Sequence, residues 1–376
     1  MAYTFWVGVD WATTAHQIAA VDTEGRVIDE RAVVHSGPAL ESWGQWLMHL
    51  AQGDPSRVAV GIEVPRGPVV ELLVERGFHV YAINPKQLDR FRDRYTVAGA
   101  KDDRRDALVL ATSLRTDVAA FRRLGLDDPL IVQLRELSRV EEDVKQDLSR
   151  LTNRLREQLH RFYPQLLTLC PGADEPWLWA LLEQAPTPAA GQRLRRPAVS
   201  KLLRAYRIRR VRTETVVGQL RTPAPYVAPG TVEAASTHIA LLLPRLTLLH
   251  AQQGACARQI DRLLETLAET PEGRPEEHRD VTILRSLPGV GRVVVATMLA
   301  EAVRPLAERD YHALRAQTGS APITRQSGKR CVVSMRYACN QRLRQAVYHW
   351  GRVSVQCDPR SRAHYDRLRG RGHTHA

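Results

Sequence analysis

Four carboxylates, Asp10, Glu63, Asp103 and Asp106, stand where a metal-dependent phosphodiester chemistry would need them. Asp10 closes the apolar run Phe5 to Val9, and Glu63 closes the run Val58 to Ile62. Both runs read as short buried strands. Asp103 and Asp106 lie three residues apart at the start of a helix-like stretch. Residues with that spacing share one helix face, so the two can converge on one point. Acids at two strand ends and on one helix face form an oxygen cage for Mg2+, or for Mn2+, which suits the same ligands. Two such ions can clamp the attacking and leaving oxygens of a phosphodiester. A second candidate is Ser327, which precedes Gly328 and is flanked by Arg325, Lys329 and Arg330. A serine hydroxyl is a weak nucleophile until something takes its proton, whereas cations around it would hold a phosphate. Read alone, the same residues also describe a plain turn.

The elements that must position these groups follow from periodicity. Three β-like runs, Phe5–Val9, His16–Val21 and Arg26–Val34, precede two more, Val58–Ile62 and His79–Ile83. Asp22 to Gly25 suits a hairpin turn, and Val69–Arg76 reads as a helix stopped at Gly77. Three consecutive strands, then strands alternating with helices, is the order of the ribonuclease-H-like fold. Residues 1–125 are therefore expected to be an α/β domain, with Asp10 ending its first strand and Glu63 its fourth.

From about Asp127 to Phe162 the pattern turns helical, with Leu134, Leu137, Val144, Leu148, Leu151 and Leu155 on one stripe. A second stripe, Ile239 through Leu267, keeps alternating steps of three and four, with Gln253 and Cys256 as its weak points. The two helices could pair in one chain or form a dimer arm. Residues 126–275 thus read as a coiled-coil arm carrying an insertion at 164–231. Ala189 to Thr222 holds ten basic residues against Glu214 as the one acid. Arg193, Arg195, Arg196, Lys201, Arg204, Arg207, Arg209 and Arg210 are candidates for nucleic-acid backbone contact, set against a solvated helix face. Residues 276–358 read as a mostly helical domain. In it Leu287-Pro-Gly-Val-Gly291 joins two helical stretches as a helix-hairpin-helix, whose Gly289 and Gly291 would let backbone N–H groups approach a phosphate. Arg325, Lys329 and Arg330 add to the candidate contacts. Residues 359–376, rich in Arg, His and Gly, are expected to be a disordered basic tail.

Composition narrows the partners. The 376 residues carry a net charge of +13, which favours a polyanion such as DNA or RNA. Only five of the 54 basic residues are lysines, a bias that a GC-rich genome would also produce. Five cysteines without close pairing suggest reduced thiols. No apolar run approaches the ~20 residues of a membrane span, and no signal peptide is read, so a cytoplasmic, nucleoid-associated bacterial protein is expected.

Taken in order, Val7-Gly-Val-Asp10, Gly61-Ile-Glu63, Lys101-Asp-Asp-Arg-Arg-Asp-Ala107, Leu287 to Gly291 and the Gly319-to-Gly328 loop resemble the DEDD transposases of the insertion-sequence "one-ten" family, which includes the Piv-type DNA invertases. The resemblance covers nearly the whole chain. It implies a RuvC-like N-terminal domain with Asp10, Glu63, Asp103 and Asp106 as a Mg2+-binding catalytic tetrad. It also implies a C-terminal transposase domain with Ser327 as the nucleophile, a coiled coil for oligomerisation, and composite sites shared between subunits of a dimer or tetramer. A structured non-coding guide RNA would pair with donor and target DNA. The family commonly has Thr where this chain has Asp102, and a second serine where it has Gln326. Asp102 leaves the tetrad's register ambiguous, although the Asp103–Asp106 spacing fits better; Ser320 and Ser334 are weaker nucleophile candidates.

The leading expectation is an RNA-guided DNA transposase or recombinase. A metal-dependent junction-resolving nuclease would use the same fold without a covalent intermediate. An actin-like ATPase would need a second phosphate loop like Gly8 to Thr14, and none is found after residue 120. A degenerate element protein would bind nucleic acid without reacting, yet all five candidate catalytic side chains are present.

Overall fold

The structure is a computed structural model that describes residues 3–94, 102–125, 128–228, 230–269, 277–328 and 330–374. Lys101 and Lys329 lie outside the described residues. The chain divides into two compact units, Met1–Asp127 and Asp128–Ala376.

The first unit runs β1 (Phe5–Asp10), β2 (Ala15–Val21), β3 (Val27–Val34), α1 (Gly37–Leu50), β4 (Val58–Ile62), α2 (Pro68–Glu75), β5 (His79–Ala82), α3 (Pro85–Arg92), α4 (Asp103–Asp117) and β6 (Arg122–Arg123). Its mixed sheet has the order β3-β2-β1-β4-β5-β6. β1, β2 and β3 are antiparallel neighbours, while β4 runs parallel to β1 and β5 parallel to β4. This arrangement is consistent with a RuvC-like domain. The turn between β2 and β3 forms as its sequence predicts. Asp22 Oδ1 accepts the N–H groups of Glu24 and Arg26, each at 2.9 Å, and Gly25 takes φ 82°. β6 is too short to leave a periodic signature.

Burial on both faces explains why β1 and β4 read as continuous apolar runs. Val7, Val9, Val58, Val60 and Ile62 pack with Leu40 and Leu47 of α1 and Val69 and Leu73 of α2. On the other face, Trp6 and Ala59 pack with Leu88 of α3 and Val109, Leu110 and Leu114 of α4. Helix α4 lies closest to the sheet over Gly8 and Gly61. A Cβ on Gly8 would come 1.9 Å from the Ala107 carbonyl oxygen and 2.6 Å from the Ala111 nitrogen. The missing side chain therefore sets the height of α4 above β1.

The second unit is mostly helical. Its helices are α5 (Pro129–Phe162), α6 (Gln165–Leu169), α7 (Pro176–Gln184), α8 (Pro188–Arg193), α9 (Arg196–Ala205), α10 (Thr213–Arg221), α11 (Thr231–Ala268), α12 (Glu277–Ser286), α13 (Arg292–Glu301), α14 (Val303–Ala307) and α15 (Tyr311–Gln317). A hairpin of β7 (Ile323–Ser327) and β8 (Arg330–Ser334) follows, then α16 (Gln341–Cys357) and α17 (Pro359–Gly370). The hairpin is the part of this region that helical periodicity did not predict.

α5 and α11 pair with each other in one chain and run antiparallel. Leu151, Leu155 and Leu159 late in α5 share a core with Ala235, Ile239, Leu242 and Leu246 early in α11. Ile131 and Leu134 at the opposite end share another with Ile260, Leu263, Leu264 and Leu267. Midway along, Val144, Leu148, Leu249, Gln253 and Cys256 are only half-buried. By length and composition α11 would suffice to cross a membrane, but its apolar positions at both ends are spent on these cores.

Two expectations need correction. The arm at 126–275 and the domain at 276–358 are one packed unit. The core holding Ile131 and Leu263 also holds Val281, Val295, Met298, Leu299 and Leu343. Glu301 reinforces it by accepting from Arg139 at 3.3 Å, Arg342 at 3.1 Å and Asn340 Nδ2 at 2.9 Å. The tail expected to be disordered forms α17. Asp358 Oδ2 caps it by accepting from Ser361 N and Oγ at 2.8 and 2.7 Å, with Pro359 in the first turn.

Candidate functional site

The first unit gathers the acids at the carboxyl ends of β1 and β4. Asp10 is the last residue of β1, and Glu63 follows β4, the parallel neighbour of β1. Both are half-buried. α4 delivers Asp106 beside Ala107, whose carbonyl rests over Gly8, two residues before Asp10. Asp106 is buried at 4 % exposure, whereas Asp103, one turn earlier, is exposed. The carboxylate of Asp102 is spent on the backbone, where it caps α4 by accepting from Arg104 N at 3.2 Å. Its use as the cap leaves Asp103 and Asp106 in the first turn of α4.

The oxygens of the tetrad are not drawn into one coordination sphere. No three of the four acids bring an oxygen each within 4.8 Å of one another. A cation already sits on Asp106. Arg92, in the last turn of α3, donates from Nε to Oδ1 and from Nη2 to Oδ2, both at 2.6 Å, and from Nη1 to Asp89. The hydrogen bonds that Arg92 donates to Asp106 are the largest of the effects raising the Arg92 pKa, and the charges of Asp106, Asp89 and Glu63 add to them. Sequence spacing did not single out Arg92, which lies among Arg90 and Arg94 without a distinguishing pattern. The donor set, all carboxylates, still suits a hard divalent cation.

A histidine pair supports the segment after Asp10. His16 is fully buried on β2; its Nδ1 accepts Ala12 N–H at 3.2 Å, so its proton lies on Nε2, which faces His35 Nδ1 at 2.9 Å. Burial, aided by His35, lowers the His16 pKa. No sequence motif pointed to it.

In the second unit Ser327 ends β7 and pairs with Arg330 of β8, and Gly328 takes φ 56°. Residues directly opposite and two apart share a face, so Ser327, Arg330 and Arg325 lie on one side of the hairpin. All three are exposed. Among the described residues nothing hydrogen-bonds the Ser327 hydroxyl. Ser320 Oγ is engaged with Thr318 Oγ1 at 2.6 Å, and Ser334 is half-buried at the far end of β8.

The Leu287–Gly291 turn does join two helices, α12 and α13. Gly289 takes φ 80°, and a Cβ there would lie 2.6 Å from the Ser354 nitrogen. Ser354 Oγ and Trp350 Nε1 both donate to the Pro288 carbonyl, at 2.8 and 2.9 Å. The close approach at Gly289 is thus to α16, and the space beside Gly291 is open. Arg193, Arg195, Arg196, Lys201, Arg204, Arg207, Arg209 and Arg210 are all exposed around α8, α9 and the start of α10. Arg196 pairs with Glu214, and Arg210 with Glu175.

Comparison with known proteins decides the family. A DEDD transposase family model matches residues 7–164, and the model of the transposase IS116/IS110/IS902 family matches residues 281–366. The mini-circle IS117 transposase-type protein of Streptomyces coelicolor is 32% identical over 381 residues, spanning 99% of this chain and 89% of that protein. The chain belongs to the IS110 family of transposases. Protein y4uE of Sinorhizobium fredii, named as a transposase, is 51% identical over 208 residues, which is 54% of this chain and 57% of that protein. The insertion-element IS116 protein of Streptomyces clavuligerus is 30% identical over 98% of this chain and 89% of its own. In this IS110-family transposase the acids lie within the first matched stretch and Ser327 within the second. The basic helices α8 to α10 lie between the two.

Proposed function

We propose that this transposase excises and inserts its element as an RNA-guided recombinase, with Ser327 as the nucleophile and Asp10, Glu63, Asp103 and Asp106 as the Mg2+ or Mn2+ site. The observation that carries the reading is the family's DEDD pattern on this chain's own scaffold: Asp10 and Glu63 at the ends of adjacent parallel strands, with Asp106 on the helix that crosses them. Bound there, a divalent ion would stabilise charge on the phosphate and leaving oxygen. Ser327 Oγ would lose its proton and attack a DNA phosphorus, forming a serine–phosphate ester as the bond from phosphorus to the leaving sugar oxygen breaks. That oxygen takes up a proton. Attack by a sugar hydroxyl of the exchanged strand would then restore the phosphodiester and free the serine. Arg325 and Arg330, on the face of Ser327, would hold the phosphate's non-bridging oxygens.

The exposed cations around α8 to α10 would bind DNA or guide RNA backbone, with base pairing reading sequence. A dimer or tetramer would join the acidic unit of one copy to the serine hairpin of another. The metal-dependent nuclease without an adduct keeps one observation in its favour: among the described residues, the Ser327 hydroxyl has no base bonded to it. Protein purified with the element's flanking non-coding DNA, then incubated with donor and target DNA and Mg2+, decides between them. An adduct that survives denaturation and is lost in both Ser327→Ala and Asp10→Ala is expected. Cleaved DNA without an adduct would overturn the serine step.

A further inference from the structure

Among the described residues of the first unit, Arg92 stands out from the other cations. Its partner Asp106 is buried, and both carboxylate oxygens are taken by one guanidinium in a bidentate pair at 2.6 Å. Arg92 also donates to Asp89, on its own helix, so α3 contributes one acid and the tetrad another. The guanidinium therefore occupies the position from which a divalent ion would draw on Asp106. Its own side chain is 21 % exposed, against 6 % for Asp106, which leaves it a way out. The mount is firm: Asn84 and Gln87 form a capping box that fixes the start of α3, and Leu88 is fully buried beside Leu110 of α4.

We propose that Arg92 is a latch on the metal site, holding Asp106 in the metal-free transposase and yielding it when a divalent cation binds. The proposal rests on the tetrad being a metal site. A buried carboxylate is strongly disfavoured without a countercharge, and the guanidinium supplies one while the metal is absent. Metal then competes with Arg92 for Asp106. An apparent affinity falls by the fraction of time the competent state is populated. If the pair is open a tenth of the time or less, Arg92 weakens metal binding about tenfold or more. Once released, the guanidinium stands beside the acids with its charge free for a phosphate oxygen.

The test is Mn2+ binding to the full chain without nucleic acid, read by the electron paramagnetic resonance signal of the free ion. Wild type, Arg92→Gln, Arg92→Lys and Asp106→Asn are compared. Arg92→Gln is expected to bind at least tenfold more tightly than wild type, and Arg92→Lys, which cannot bond both oxygens, to fall between them. Asp106→Asn is expected to bind more weakly than wild type. Equal or weaker binding by a folded Arg92→Gln overturns the latch. Absence of Mn2+ binding in every variant overturns the metal reading itself, and the latch with it. Should Arg92→Gln fail to fold, the wild-type chain gives the answer. Modification of Arg92 by phenylglyoxal, located by mass spectrometry, is expected to rise several-fold when Mn2+ is added. Unchanged modification at saturating Mn2+ overturns the proposal.

Discussion

Replacing Gly8 by alanine should damage the acidic site without touching an acid. The added Cβ would lie 1.9 Å from the Ala107 carbonyl oxygen, 2.6 Å from the Ala111 nitrogen and 2.8 Å from Leu110 Cβ. Two of these are backbone atoms in the middle of α4, so no rotamer change relieves the clash. An ordinary contact needs at least 3.4 Å, and α4 must retreat by roughly 1.5 Å to give it. Overpacking of that kind costs ~1–3 kcal/mol and more when backbone must move; the upper end or beyond is expected here. The retreat carries Asp106, the neighbour of Ala107, away from Asp10, and a misplacement of ~1 Å can cost ~100-fold in rate. Gly61→Ala is the control, since its Cβ would meet Ile83 Cδ1 at 3.0 Å and the Leu110 oxygen at 3.3 Å. A side-chain tip can yield there, so a loss within ~1 kcal/mol is expected. Urea unfolding of both variants, with an excision assay on a two-plasmid reporter, measures the pair. Equal stability and equal excision in Gly8→Ala and Gly61→Ala would refute the claim that Gly8 sets the height of α4.

Other consequences can be checked independently. Gly289→Ala should lose ~2 kcal/mol or more in the second unit, because its φ of 80° is strained for alanine and Ser354 blocks the Cβ, whereas Gly291→Ala should be nearly neutral to stability; urea unfolding compares them. Arg204, Arg207 and Arg209 changed together to alanine should leave the fold intact, lower nucleic-acid affinity, and reduce the slope of log affinity against log salt by ~2–3, measured by fluorescence anisotropy. Cys170 is buried, and burial above all pushes its thiol up to about 11. At pH 8 it is almost wholly protonated and its thiolate appears only as the pH approaches 11, so iodoacetamide should label exposed Cys331 and Cys357 first; early labelling of Cys170 in the folded chain would contradict this.

Much of the first unit was legible because its signals are local. β4 spans the residues its apolar run marked, and the β2–β3 turn was spelled out by Asp22 and Gly25. The acids at strand ends could be named because the same runs located those ends. What sequence could not show is which neighbour each acid meets. Arg92 reaches Asp106 through the docking of α3 on α4, a contact between elements rather than a pattern along one. The β7–β8 hairpin was missed for a related reason: Thr324, Gln326 and Val333 are all exposed, so burial wrote no alternation into it. The basic insertion was visible in composition, yet only packing shows that Val199, Leu202 and Val216 hold its helices against the core that α5 and α11 share.

The two candidate centres differ in how their charges are managed, and the difference bears on when each can act. Asp106 is buried and already paired with Arg92, so in the proposed latch its chemistry would depend on exchanging one cation for another. Ser327, Arg325 and Arg330 are exposed on a short hairpin with Gly328 at its turn, and among the described residues no acid pairs with those guanidiniums. Exposed cations attract a phosphate at long range but give little stabilisation until water is excluded. On the proposed reading, the hairpin would therefore gain catalytic strength only when nucleic acid and protein close over it. If both proposals hold, an acidic centre that waits for metal and a serine centre that waits for burial would together keep the free transposase inert toward stray DNA, each by its own electrostatics.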